Sequence, residues 1–106
     1  MTGPEFEQFV RKLLLEHGYD DVQSTPTTGD MGADLIIQHR LKKIVVQCKR
    51  YDAPVGVSAV QEVLGAKHYY EAAEAWVITD STFTSASIRL AKAAGVRLSA
   101  LRLTPK

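Results

Sequence analysis

The stretch Ala33-Asp34-Leu35-Ile36-Ile37-Gln38-His39-Arg40-Leu41-Lys42-Lys43-Ile44-Val45-Val46-Gln47-Cys48-Lys49 decides how this chain folds. Two apolar runs rich in β-branched residues, Leu35-Ile36-Ile37 and Ile44-Val45-Val46, flank a short basic segment. The pattern predicts a hairpin with strands over residues 33–38 and 43–49. A turn from His39 to Lys42 sets Asp34 opposite Gln47. Side chains alternate along a strand, so Gln47 and Lys49 share a face. Directly opposed residues share one as well. An acid, an amide and an ammonium are therefore expected on one patch, suited to a divalent cation and a phosphodiester. A slip of one residue would instead put Asp34 on the face of Cys48.

Before the hairpin, Phe6, Phe9, Val10, Leu13 and Leu14 recur at helical spacing and predict an amphipathic helix over residues 5–16. Thr2 and Glu5 fit a capping box, and Gly18 fits the stop. A polar strand is expected within residues 21–27, with Pro26 marking either an edge position or a strand end, then a turn-rich loop over 28–32. After the hairpin, a loop at 52–56 leads to a helix from Ser58 to about residue 73, with Ser58 and Gln61 as a second capping-box pair. Ala75-Trp76-Val77-Ile78-Thr79 reads as a strand buried on both faces. Thr84 or Ser85 caps a third helix ending at Gly95, and residues 96–101 form a last strand. The order αβββαβαβ predicts an α/β fold: a three-stranded meander extended by right-handed crossovers into a mixed sheet, with helices on both faces.

A length of 106 residues fits a single domain spanning 1–106. The 45% hydrophobic fraction can supply one core. A formal net charge of +1 excludes a general polycation, so any nucleic-acid binding rests on local charge or on a partner. The single Cys48 excludes an internal disulfide and fits a reducing compartment. The N-terminus does not read as a secretory signal, no apolar run is long enough to span a membrane, and a cytoplasmic protein is expected.

Each candidate has a plainer reading beside the functional one. Asp34 fits a turn acid bonding nearby amides after Gly32, or a metal-binding carboxylate at the start of an apolar strand. Gln47 and Lys49 fit a solvated strand end, or polar ligands where a buried strand ends. Glu7 flanks the apolar face of the first helix, as a solvated acid or one reaching the edge of the sheet. Cys48 faces away from Gln47 and Lys49 and reads as a small core residue. Arg40, Lys42 and Lys43 in the hairpin, Arg50 after it and Lys67 on the second helix are either ordinary surface cations or DNA-backbone contacts.

Phe6-Glu7, Gly18-Tyr19, Gly29-Asp30-Met31-Gly32-Ala33-Asp34 and Val46-Gln47-Cys48-Lys49-Arg50-Tyr51 together resemble the catalytic domain of Mrr-type restriction endonucleases, within the PD-(D/E)xK nuclease superfamily. Val77-Ile78-Thr79 followed by Phe83-Thr84 and Ala86 supports the likeness. The resemblance implies a restriction-endonuclease-like αβββαβ core and a Mg²⁺-dependent DNA endonuclease, with Mn²⁺ expected to substitute. It implies Asp34 as the metal-binding acid, Lys49 as the catalytic lysine, Glu7 as the helix acid completing the site, and Asp30 as an acid of the glycine loop. Gln47 stands where many superfamily members carry an acid; its amide oxygen can bind Mg²⁺ without adding charge, and the Cys48 main-chain carbonyl can add a further oxygen. DNA is the implied partner. Cleavage of both strands implies a homodimer, and a separate sequence-reading domain or subunit is expected to work with the chain. Two rivals stand beside this reading: a catalytically silent nucleic-acid-binding domain on the same fold, and an unrelated small α/β protein binding a small ligand or a protein partner, which would leave Asp34, Gln47 and Lys49 far apart.

Overall fold

The computed structural model of the protein describes residues 1–26 and 31–101. Eight elements follow in the expected order: α1 (Gly3–Glu16), β1 (Val22–Ser24), β2 (Leu35–His39), β3 (Lys42–Lys49), α2 (Val57–Tyr69), β4 (Glu74–Thr79), α3 (Ser85–Ala94) and β5 (Arg97–Ala100). The strands form one sheet in the order β1-β2-β3-β4-β5. β1, β2 and β3 pair antiparallel, whereas β3, β4 and β5 pair parallel through the α2 and α3 crossovers. This is the mixed α/β sheet predicted from the pattern.

Local signals place most of the boundaries. The Thr2 hydroxyl accepts from the Glu5 N–H and the Glu5 carboxylate accepts from the Thr2 N–H, which closes the capping box of α1. Thr84 caps α3, and Gly95 ends it in the left-handed region. Leu35 pairs with Val46 and His39 with Lys42, the register that the hairpin predicts. Its tip is made by Arg40 and Leu41 at φ 50° and 67°, positive at both central residues as a two-residue type I′ turn requires, though neither is glycine.

Two expectations for α2 fail. No Ser58–Gln61 capping box forms, because the helix begins after Gly56, which caps without a side-chain bond. The entry point is set from outside the helix. The Val55 N–H donates to the Thr82 carbonyl and the Val55 carbonyl accepts from the Thr84 N–H, pinning the chain one residue earlier than the sequence suggests. The helix also ends at Tyr69, not near residue 73. Glu71 takes φ 53°, and the N–H groups of Glu71 and Ala72 donate to the carbonyls of His68 and Lys67. That is a Schellman closure with glutamate where glycine is usual.

The sheet separates two cores. On one face α1 buries Phe6, Val10 and Leu14 against Val22, Leu35, Ile37, Ile44, Val46, Trp76 and Ile78. On the other, Ala59, Val60, Val63 and Ala66 of α2 and Ala91 of α3 cover Val45, Ala75 and Val77. Each large apolar side chain removed from water contributes about 1.5–3 kcal/mol. Ala59, Val60, Val63 and Ala66 seat α2 on the sheet and leave its exposed flank beside the end of β3. β4, from Ala75 to Thr79, is buried throughout, as a central parallel strand should be.

Candidate active site

β3 is longer than β2. The β2–β3 ladder stops at Leu35↔Val46, while Gln47, Cys48 and Lys49 continue beside Val77, Ile78 and Thr79 of β4. The last three residues of β3 thus present one edge without a strand partner, and a notch opens there. Asp34 fills its wall. Its main chain is pinned on both sides, by its N–H donating to the Val46 carbonyl at 2.8 Å and its carbonyl accepting from the Thr25 N–H at 2.9 Å. Its carboxylate Oδ2 accepts from the Cys48 N–H at 2.8 Å, taking the place of the missing strand carbonyl. Asp34 therefore meets the edge of β3 through its side chain and not through a ladder pair with Gln47.

The notch opens into a cavity of about 780 Å³ between the first turns of α1 and the exposed flank of α2. Glu7, Asp34, Gln47, Cys48 and Lys49 all line it, so the structure gathers the expected cluster in one place. Glu7 comes from the α1 side, whereas Gln47 faces α2. They meet because the sheet stops at the notch. Cys48 lies against the α1 core as expected and contributes its main-chain N–H. Burial pushes its thiol far above the ordinary range, with the Asp34 and Glu7 charges adding to the effect. A thiol held protonated is a poor nucleophile.

The sequence reading missed Glu62. This α2 residue accepts a hydrogen bond from Gln47 Nε2 at 2.9 Å and lies 3.3 Å from Lys49 Nζ. Gly32 lies against its main chain: a Cβ built on Gly32 would come within 2.7 Å of the Glu62 carbonyl carbon. Gly65 and Tyr69 extend the same flank along the cavity. One signal was available, since Glu62, Gly65 and Tyr69 recur at helical spacing beside the buried Val60 and Val63. Gln61, expected as a capping-box partner of Ser58, also lines the cavity.

Burial raises the Asp34 carboxyl above its ordinary value. The Cys48 N–H and the Lys49 charge oppose that rise and the Glu62 charge adds to it. Glu7 is raised too, by burial and then by the Asp34 charge. Among the described residues, three carboxylates around one lysine leave the cavity short of positive charge. No donor among the described residues meets Asp34 Oδ1 or Gln47 Oε1, and none of their buried side-chain polar atoms lacks a partner; both oxygens therefore face the cavity. Among the described residues no three His, Cys, Asp or Glu side chains form a metal cage by themselves. An oxygen-only set with a carboxylate, an amide and room for water fits Mg²⁺, which keeps several waters and shares substrate phosphate oxygens.

The expected DNA contacts are dispersed. Arg40, Lys42 and Lys43 lie at the hairpin end of the sheet; at about 3.3 Å per residue, Lys43 and Lys42 stand roughly 20 and 23 Å from Lys49. Lys42 pairs with Glu74 at 3.4 Å, and Lys43 donates to the Tyr70 carbonyl. Arg50 is held by Asp52 at 2.8 Å and Asp80 at 3.7 Å. Lys67 sits in the last turn of α2. Asp30 lies outside the described residues.

The type IV methyl-directed restriction enzyme EcoKMrr of Escherichia coli K12 is 36% identical over 92 residues, covering 80% of this chain and 30% of that protein. A crystallised protein of unknown function, AF1548, superposes with a TM-score of 0.75 at 17% identity, over 94% of this chain and 59% of that one. A repair endonuclease from Pyrococcus abyssi superposes with a TM-score of 0.52 at 17% identity, over 65% of this chain and 32% of its own. These likenesses show a restriction-endonuclease-like fold, and the chain spans under a third of the curated relative it matches. A family-wide sequence model described as a restriction endonuclease, Mrr_cat, matches residues 1–102, and the chain belongs to that family.

Proposed function

We infer that the protein is a Mg²⁺-dependent DNA endonuclease, with Mn²⁺ able to substitute. One observation carries the reading: two oxygens, from Asp34 and Gln47, that no donor among the described residues meets face the same cavity as the Lys49 ammonium. Asp34 would be the main anionic ligand, with Gln47 Oε1, the Cys48 carbonyl and Glu7 as further oxygens. Bound there, Mg²⁺ supplies Lewis-acid polarisation of the phosphate and acidifies water. Lys49 stabilises the negative charge that develops on the phosphate and orients the attacking water. Attack in line leaves 5′-phosphate and 3′-hydroxyl ends.

Lys49 is the cation nearest the reacting phosphate. Arg40, Lys42, Lys43, Arg50 and Lys67 would act on backbone farther away. Cleavage of both strands calls for a homodimer, and the chain's short span of EcoKMrr fits a separate reading domain. The test is incubation of plasmid, methylated, single-stranded and branched DNA with and without Mg²⁺. Metal-dependent cleavage lost in both Asp34→Ala and Lys49→Ala supports the reading. Cleavage that survives either change refutes it.

A further inference from the structure

Gln47 is a two-ended group. Its amide carries an acceptor at one end and donors at the other, and the two ends are nearly alike in shape. Nothing in β3 decides which end faces the cavity. The residue is only 6% exposed, and a half-turn about its last bond would exchange oxygen and nitrogen. Glu62 decides it. An ionised carboxylate only accepts hydrogen bonds, so the Nε2 donors must turn toward Glu62 Oε1, 2.9 Å away. The Gln47 oxygen is then left facing the cavity. The same Glu62 oxygen holds the Lys49 ammonium at 3.3 Å. Packing gives no reason for an acid here. The side chain is 48% exposed, and many residues serve equally on a helix surface.

We propose that Glu62 is a positioning residue that orients Gln47 as an oxygen donor to the cation and holds Lys49 beside it. The proposal rests on the reading of the cavity as a cation site.

Calorimetric titration of the full chain with Mn²⁺ tests it, using Glu62→Ala and Glu62→Gln, each alone and combined with Gln47→Ala. Both substitutions remove one negative charge, but only Glu62→Gln retains an acceptor oxygen, which the donor-only Lys49 ammonium keeps turned toward Gln47 Nε2, so their difference reports the hydrogen bond. Glu62→Ala should bind Mn²⁺ about 10–100-fold more weakly than the parent, as loss of a ligand-orienting partner does. Glu62→Gln should recover much of that loss, and the two should become equal when Gln47 is alanine. Equal affinities in the parent background overturn the proposal. So does a difference that persists without Gln47, since Glu62 would then act on the cation directly. If the parent binds no Mn²⁺, the cation reading fails by itself, and metal-free ¹⁵N NMR decides the positioning role. The Gln47 side-chain amide signals should move in Glu62→Ala and stay near the parent in Glu62→Gln. Unmoved signals in Glu62→Ala overturn it.

Discussion

Replacing Gly32 with alanine should damage this protein twice, and the two effects can be separated. Gly32 has φ +82°, and its Cβ would fall on the Glu62 main chain, 2.7 Å from the carbonyl carbon and 3.3 Å from Cα. A side chain in the left-handed region costs roughly 1–2 kcal/mol. Forcing a methyl group against fixed backbone adds roughly 1–3 kcal/mol. The sum, about 2–5 kcal/mol, is a large share of the roughly 5–15 kcal/mol that holds a typical domain together. At about 4–8 °C per kcal/mol, Tm should fall by roughly 8–40 °C. Gly95→Ala is the control. Its φ is +74°, with no atom within 4 Å of the added Cβ, so it carries only the conformational cost. Thermal unfolding followed by circular dichroism gives both values, and their difference is the clash. A Gly32→Ala protein no less stable than Gly95→Ala would refute the close approach of this segment to α2. The chain can relieve the clash only by moving Gly32 away from α2, which shifts Asp34 from the edge of β3. Cleavage measured well below Tm should therefore fall in Gly32→Ala and persist in Gly95→Ala.

Other consequences follow from the site and its scaffold. Because burial raises the Asp34 carboxyl, its ionisation weakens the fold: the penalty is absent below its ordinary value of 3.8 and appears as pH rises through the higher folded value. Asp34→Asn keeps an acceptor for the Cys48 N–H, so it should raise Tm at neutral pH while abolishing cleavage, and the Tm gain should vanish at acid pH; a neutral-pH Tm below the parent's would contradict this. Gln47→Glu places a second carboxylate 2.9 Å from the Glu62 oxygen, so metal-free Tm should drop and Mn²⁺ should raise it more than in the parent, both readable by thermal shift. Leu41, fully exposed at φ 67°, is strained for a type I′ turn. Leu41→Gly should relieve about 1–2 kcal/mol of left-handed strain and cost about 0.5–1 kcal/mol in glycine's extra chain entropy, a net gain of up to about 1 kcal/mol readable by chemical denaturation. A net loss would mean that the tip is not held in this conformation.

Short-range patterns determined a good deal by themselves. The short turn from His39 to Lys42, between the apolar runs Leu35-Ile36-Ile37 and Ile44-Val45-Val46, set the hairpin register, because loop length fixes which residues stand opposite one another. Thr2, Glu5, Thr84 and Gly95 marked helix ends through hydrogen bonds that span only a few residues. The apolar run Ala75 to Thr79 announced a central strand. The remoteness of Arg40, Lys42 and Lys43 from Lys49 was legible in the strand rise as well. Other features belong to the tertiary structure. Gly56 starts α2 because Val55 is bonded to Thr82 and Thr84, and Glu71 ends it without the glycine that would have signalled the stop. The notch exists because β3 outruns β2, so Asp34 bonds the Cys48 N–H with its side chain. Above all, Glu62 joins Gln47 and Lys49 only because the β3–α2–β4 crossover lays α2 on their face of the sheet. Local pattern fixes which face a residue takes within its own element. Which face of another element it then meets depends on the packing of segments distant in sequence, and the site is built from those meetings.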